Sequence, residues 1–499
     1  MNKKRQNSQR NESGLKDHKR YKKELNPPFL ASGLNMTTSS WFDERLPEML
    51  WAVLVIGNTE RSSALKFFRY IAKFVENNQD CSNVTLTGIS KLPEKKRKLF
   101  IKHFVNYSEA INEIFQSLLL FPELPSFANW QEVLSEPKPD EDYRKLSDGV
   151  AKTFWHQSEE ATDCRWIKFL CQIVGGKMKF FSSIPDIKET LRGVYEYPNY
   201  GDLRHIRPFI RASEIAPDPK NNINGSDWAR YFWKHCFDHT RCIPEETINK
   251  KIGKRQKKLV DEVENSRKHY FEETVKIRKT LIDHFFATSK ISTIDSRHEG
   301  AFGLTIYALS LFIEIIFYGT SLSITGRLGL RALVEIYITF SYLLQKEKSE
   351  SRVWDDYRSY GTGQIKLIYL KLQEMNNILS SIELKEMDHI ANEDKWVEFI
   401  PINLGHWDSA NLRKMAEEVK LKKLYDKFYD YTSGFMHGNW GAVRESVYQK
   451  CINPLHRYHR VPIYDLPLMP SVTKDAHEIM NNILECLSEA YPDFNSRIN

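Results

Sequence analysis

From Ala301 to Ile324 the chain reads AFGLTIYALSLFIEIIFYGTSLSI, 24 positions carrying one charge, Glu314. A stretch this long and apolar folds either as a bilayer-spanning helix or as a helix buried in a bundle. A carboxylate halfway along costs at least ~2 kcal/mol in lipid. The next segment, GRLGLRALVEIYITFSYLL, is nearly as apolar yet holds Arg327, Arg331 and Glu335. Two successive apolar helices that both carry charge fit a bundle core better than a hairpin in lipid. Arg331 and Glu335 are four apart and share one helical face. Buried charges need partners, so Glu314 is expected to face that pair across a connection near Thr325-Gly326.

The same spacing of three and four recurs in WFDERLPEMLWAVLVIG, SSALKFFRYIAKFVEN and KKRKLFIKHFVNYSEAINEIFQSLLL. Only 22 Gly and 20 Pro occur in 499 residues, too few for a loop-rich β fold, and 41% hydrophobic content excludes a wholly disordered chain. No alternating strand series stands out, and short strands are admitted only at 83–90 and 459–466. From Pro244 to about Lys290, Leu259, Val263, Tyr270, Thr274, Ile277, Leu281 and Phe285 recur near a heptad. The expected fold is mainly α, with two helical domains joined by a long charged helix. The boundaries are a disordered basic tail over 1–39, an N-terminal helical domain over 40–243, the connecting helix over 244–290 and a C-terminal helical bundle over 291–499.

The formal net charge is +7, but residues 1–25 hold nine Lys/Arg against three acids, so the other residues are close to neutral. The run Lys250-Lys251-Ile-Gly-Lys254-Arg255-Gln-Lys257-Lys258 could track a phosphate backbone. Asp261, Glu262 and Glu264 follow it, which favours a solvated mixed-charge face. Seven thinly spread Cys and a basic start with no apolar stretch behind it predict a cytoplasmic protein with no disulfide framework.

Chemistry-bearing residues are few. Tyr431 to Trp440 reads YTSGFMHGNW, with Ser433 and His437 four apart between Gly434 and Gly438. His437 is the natural acid–base candidate near neutral pH, although a core His bonded to a carbonyl is the commoner role. Arg331 and Glu335 read either as a register-fixing ion pair or as part of a polar pocket. His235, Cys236, His239 and Cys242 carry zinc-type ligands. Steps of three along one helix separate them by about 5 Å each, which favours a plain helix end before Pro244. The sequence contains no GxxxxGK[ST], GxGxxG, HExxH or GxSxG element, which weighs against P-loop, Rossmann, zincin and α/β-hydrolase chemistry. No cofactor and no metal are expected.

The segments GLRALVEIYITFSYLL, DDYRSYGTGQIK, NLRKMAEEVKL and LYDKFYDYTSGFMHGNW together resemble a bacterial family whose C-terminal helical domain has no assigned function. The resemblance spans roughly residues 260–490 and rests on the Arg-x-x-x-Glu and Ser-x-x-x-His-Gly elements. It implies a compact bundle that gathers Arg331, Glu335, Ser433 and His437. Such bundles are similar to the HEPN superfamily, many of whose members are metal-independent ribonucleases with Arg-x4–6-His. Arg278 and His284 have that spacing, although Lys279 stands where the superfamily usually has a small polar residue. The resemblance therefore implies an RNA-targeting effector of toxin or antiviral type, with His284 or His437 moving a proton and an arginine stabilising phosphorane charge. Its partners would be RNA, a protein or a second copy of the chain, and not a membrane. The other reading is a non-enzymatic scaffold or partner-binding module with a buried polar network.

Overall fold

The computed structural model describes residues 15–26, 40–178, 187–214, 227–245, 250–289, 295–375, 381–393, 400–405, 408, 411–463 and 468–499. The fold is mainly α, as the spacing of apolar residues predicts. The chain divides into two compact units: Met1–Cys242 with Asn453–Tyr458, and Ile243–Ile452 with His459–Asn499.

The expected disordered tail is described only at 15–26. There β1 (Lys19–Tyr21) pairs antiparallel with β2 (Glu24–Asn26), Lys19 opposite Asn26. The core of the first unit forms around α1 (Leu50–Asn58), which buries its side chains on every face from Leu50 to Ile56. A helix that is apolar all round has to be enclosed. It is flanked by α2 (Arg61–Asn77), α3 (Pro139–Thr153) and α4 (Glu159–Val174). Gly57 allows the closest approach: a Cβ there would lie 2.2 Å from Gly149 Cα on α3. Edge-on aromatic rings, such as Trp51 against Phe104 at 4.8 Å, fill the space around α1. The segment 83–90, admitted as a strand, holds the short helix Leu86–Ser90, capped by Thr85 accepting from Gly88 N–H. Two further helices, α5 (Leu203–Ser213) and α6 (Asp227–His239), complete the part of this unit that matters below.

The second unit contains the long helix α7 (Lys250–Thr288), then α8 (Ser296–Phe317), α9 (Ile324–Lys346), α10 (Val353–Gln373), α11 (Lys422–Met436) and α12 (Thr473–Ala490). α8 packs against α7, α9, α10 and α12. Among the described residues it is the one helix long and apolar enough to cross a membrane. The break expected at Thr325-Gly326 falls earlier. Gly319 adopts φ +66°, the left-handed turn that favours glycine, and Gly326 lies inside α9. A Cβ on Gly326 would stand 2.3 Å from the Thr320 carbonyl, so this glycine serves a close approach instead of a turn. The hairpin β3 (Tyr448–Lys450) with β4 (Arg460–Pro462) supplies the strand admitted near 459–466.

Candidate functional site

The second unit places the sequence candidates separately. Arg331 donates from Nε to Glu335 Oε1 at 2.8 Å and from Nη2 to the Tyr429 hydroxyl at 2.8 Å, so α9 and α11 are joined by this pair. Its guanidinium also lies 4.4 Å from the centre of the Tyr429 ring. Glu314 does not complete the group. It is exposed, on the same outward stripe of α8 as Tyr307 and Tyr318, and solvent replaces the partner the sequence called for. The charge that is sealed in this bundle is Arg327, whose guanidinium donates to the carbonyls of Ser321, Ser323 and Pro470 at 3.1, 3.1 and 2.6 Å.

His437 is exposed at the end of α11, where its backbone N–H donates to the Ser433 carbonyl at 3.1 Å. Among the described residues no hydrogen bond, ion pair or ring contact joins Ser433 or His437 to Arg331 or Glu335. Arg278 and His284 also stay apart. Six residues on a helix turn about 240°, so α7 points them to different sides. Arg278 is exposed, whereas His284 packs on Phe302 and Phe494, at 6.0 and 5.6 Å between ring centres.

Of the zinc-type residues of the first unit, His235, Cys236 and His239 lie together on α6. α6 runs unbroken through His239, and Cys236 is fully buried, its thiol raised well above the usual range by burial. His235 bonds the hydroxyls of Tyr143 and Tyr231, each at 3.2 Å, and stacks on His239. Cys242 lies past the helix end, its sulfur 3.3 Å from His456 Nδ1.

The first unit holds a feature that sequence reasoning missed, a cavity of about 780 Å³. Its walls include Trp41, Arg45, Phe154, His156, Arg165 and Arg211. Ser40 fixes one wall by accepting from Asp43 N–H, and Trp41 Nε1 donates to the Thr153 carbonyl at 2.9 Å. Ser158 caps α4 by accepting from Ala161 N–H, and α4 then buries Thr162 through Ile167 without a break. That continuous burial puts Arg165 inside the protein at 3% exposure.

Electrostatics set the arginines apart. Arg45 and Lys168 both pair with the buried Glu214, Lys168 at 2.6 Å. Burial raises the Glu214 pKa, but Lys168 and Arg45 outweigh it and hold the carboxyl below its ordinary range. Arg211 donates to the Gln157 carbonyl at 3.2 Å. Arg165 Nε has no hydrogen-bond partner, and the guanidinium sits 4.6 Å from the centre of the Trp41 ring. Burial, with Arg45 beside it, pushes Arg165 down to about 10. An arginine that lines a cavity, lies over an indole and shares the wall with two further arginines can offer its guanidinium to an anion. The one-dimensional signal was a lone cation in the apolar run Cys164-Arg165-Trp166-Ile167.

Residues 298–450 match a family of unknown function (DUF5677). No curated protein and no solved structure matches the chain. The matched residues take in Arg331, Glu335, Ser433 and His437, and exclude Arg278, His284 and the cavity of the first unit. The C-terminal region is therefore similar to a family of helical domains whose function is not known.

Proposed function

We propose that the chain is a helical binding protein whose first unit takes up a small anion of the phosphate class. One observation carries this reading: Arg165, only 3% exposed, lines a cavity of about 780 Å³ whose wall also holds Arg45 and Arg211. Like charges gathered around a cavity are expensive to keep, and an anionic ligand entering it relieves that cost. The volume lies in the range of small-molecule sites. In the second unit, the Arg331–Glu335–Tyr429 link and the carbonyl-bound Arg327 support a structural polar network.

The test is ligand-linked stabilisation of the full chain. Pyrophosphate at constant ionic strength raises the unfolding midpoint of wild type, because a ligand that binds only the folded state stabilises it. The same addition leaves Arg165→Met unmoved. Equal shifts in both proteins, or none in either, overturn the proposal. The RNA-targeting reading enters as a second arm. Cleavage of total RNA that disappears in His437→Ala or His284→Ala would replace the binding reading with a catalytic one.

A further inference from the structure

Which anion the cavity suits follows from its charge and its walls, given the binding reading above. Arg45, Arg165 and Arg211 line the cavity with no carboxylate among the lining residues, and the nearby Glu214 is shared by Arg45 and Lys168, so the wall carries a surplus of positive charge. The neighbouring acids do not reduce it: Asp163 is taken by Arg61 at 2.7 Å, and Glu159 by Arg61 at 2.6 Å and by Arg207. A monocarboxylate neutralises one of three such charges, whereas a phosphate monoester brings up to two charges and three oxygens that can accept from more than one guanidinium. His156 also lines the cavity, its pKa lowered by burial and by Arg165, Arg211 and Arg45. A bound dianion opposes the effect of those arginines and favours the protonated imidazole.

Trp41, Phe42, Phe154 and Trp155 add an aromatic share to the wall. Phe42 and Phe154 meet edge to face at 3.9 Å, and Trp155 is 60% exposed at the rim. Indole and phenyl faces favour a flat ring, and base stacking on such faces is tolerant of sequence and chemistry. Gln157 adds an amide at the rim that can donate and accept. We propose that the ligand is a nucleoside phosphate, its phosphate held by Arg165 and Arg211 and its base laid against the aromatic wall near Trp155. This rests on the anion-binding reading and adds the ring to it.

Calorimetric titration of the full chain separates the two layers. The probes are adenosine 5′-monophosphate, ribose 5-phosphate, pyrophosphate and benzoate. The nucleotide is expected to bind at least about tenfold tighter than ribose 5-phosphate, the stacking share, and tighter than benzoate. Trp155→Ala, a change at an exposed position, removes most of that tenfold and leaves pyrophosphate binding unchanged. Nucleotide and ribose 5-phosphate binding equally well overturns the nucleoside assignment while the anion site stands. Benzoate matching the nucleotide overturns the phosphate assignment. Silence from all four probes overturns the anion site itself, and loss of pyrophosphate binding in Trp155→Ala overturns the role given to Trp155.

Discussion

Arg165 lies 4.6 Å above the Trp41 ring, with its Nε unbonded and its side chain almost wholly enclosed. A cation–π contact offsets part of the desolvation of a guanidinium but replaces none of its hydrogen bonds. The folded protein therefore carries a cost at Arg165 that, on the anion-binding proposal, an anion would relieve.

That cost is measurable without a ligand. Arg165→Met keeps an unbranched apolar stem and deletes the buried charge, so the ligand-free variant is expected to gain ~1–3 kcal/mol of stability. Urea unfolding followed by tryptophan fluorescence reads it. A loss of stability of similar size would show that Arg165 is held by the fold for structural reasons.

Arg327 makes the opposite prediction. Its three carbonyl bonds tie the start of α9 to Ser321 and to Pro470, next to the Met469 N–H bond to Leu322. Arg327→Met leaves buried carbonyls unpaired, at about 1–3 kcal/mol per group, and is expected to destabilise the second unit by about 3 kcal/mol or more. Hydrogen exchange should show the segment 468–472 opening first. A neutral substitution would contradict the clamp.

The Arg331–Glu335 pair is weaker than its place in an apolar helix suggests. The Glu335 side chain is 39% exposed, so solvent screens the pair. A double-mutant cycle with Arg331→Met and Glu335→Gln is expected to give a coupling of about 0.3–1 kcal/mol. A coupling above about 2 kcal/mol would indicate a sealed pocket at this point.

Acid sensitivity should concentrate in the first unit. His103, His156 and His235 are all lowered from the ordinary imidazole value, in each case mainly by burial. The folded state therefore binds fewer protons than the unfolded one below about pH 6.5, and stability falls as pH drops through that value. Unfolding midpoints at pH 7.5 and 5.5 check the sign. A midpoint that rises on acidification contradicts it.

Apolar spacing made the helices of both units legible, because a period near 3.6 survives in any helix that buries one face. It misplaced what a one-dimensional pattern does not encode. Glu314 looked enclosed among apolar letters, yet Tyr307, Glu314 and Tyr318 fall on one outward stripe of α8. Gly326 looked like a helix breaker, yet it accommodates the Thr320 carbonyl and the turn belongs to Gly319. The cavity escaped notice because Trp41, Arg165 and Arg211 come from separate parts of the chain. Arg165 alone stands out, as a cation in an apolar run, and its meaning arises only when the fold brings Trp41 and Arg211 to it.

The most direct measurement is calorimetric titration of pyrophosphate into the full-length protein, beside Arg165→Met under the same buffer and salt. The account predicts saturable binding to wild type and at least a tenfold loss in the variant, about the worth of one charged hydrogen-bonding partner. Saturable binding of equal strength in both proteins, or no binding to wild type, would contradict it.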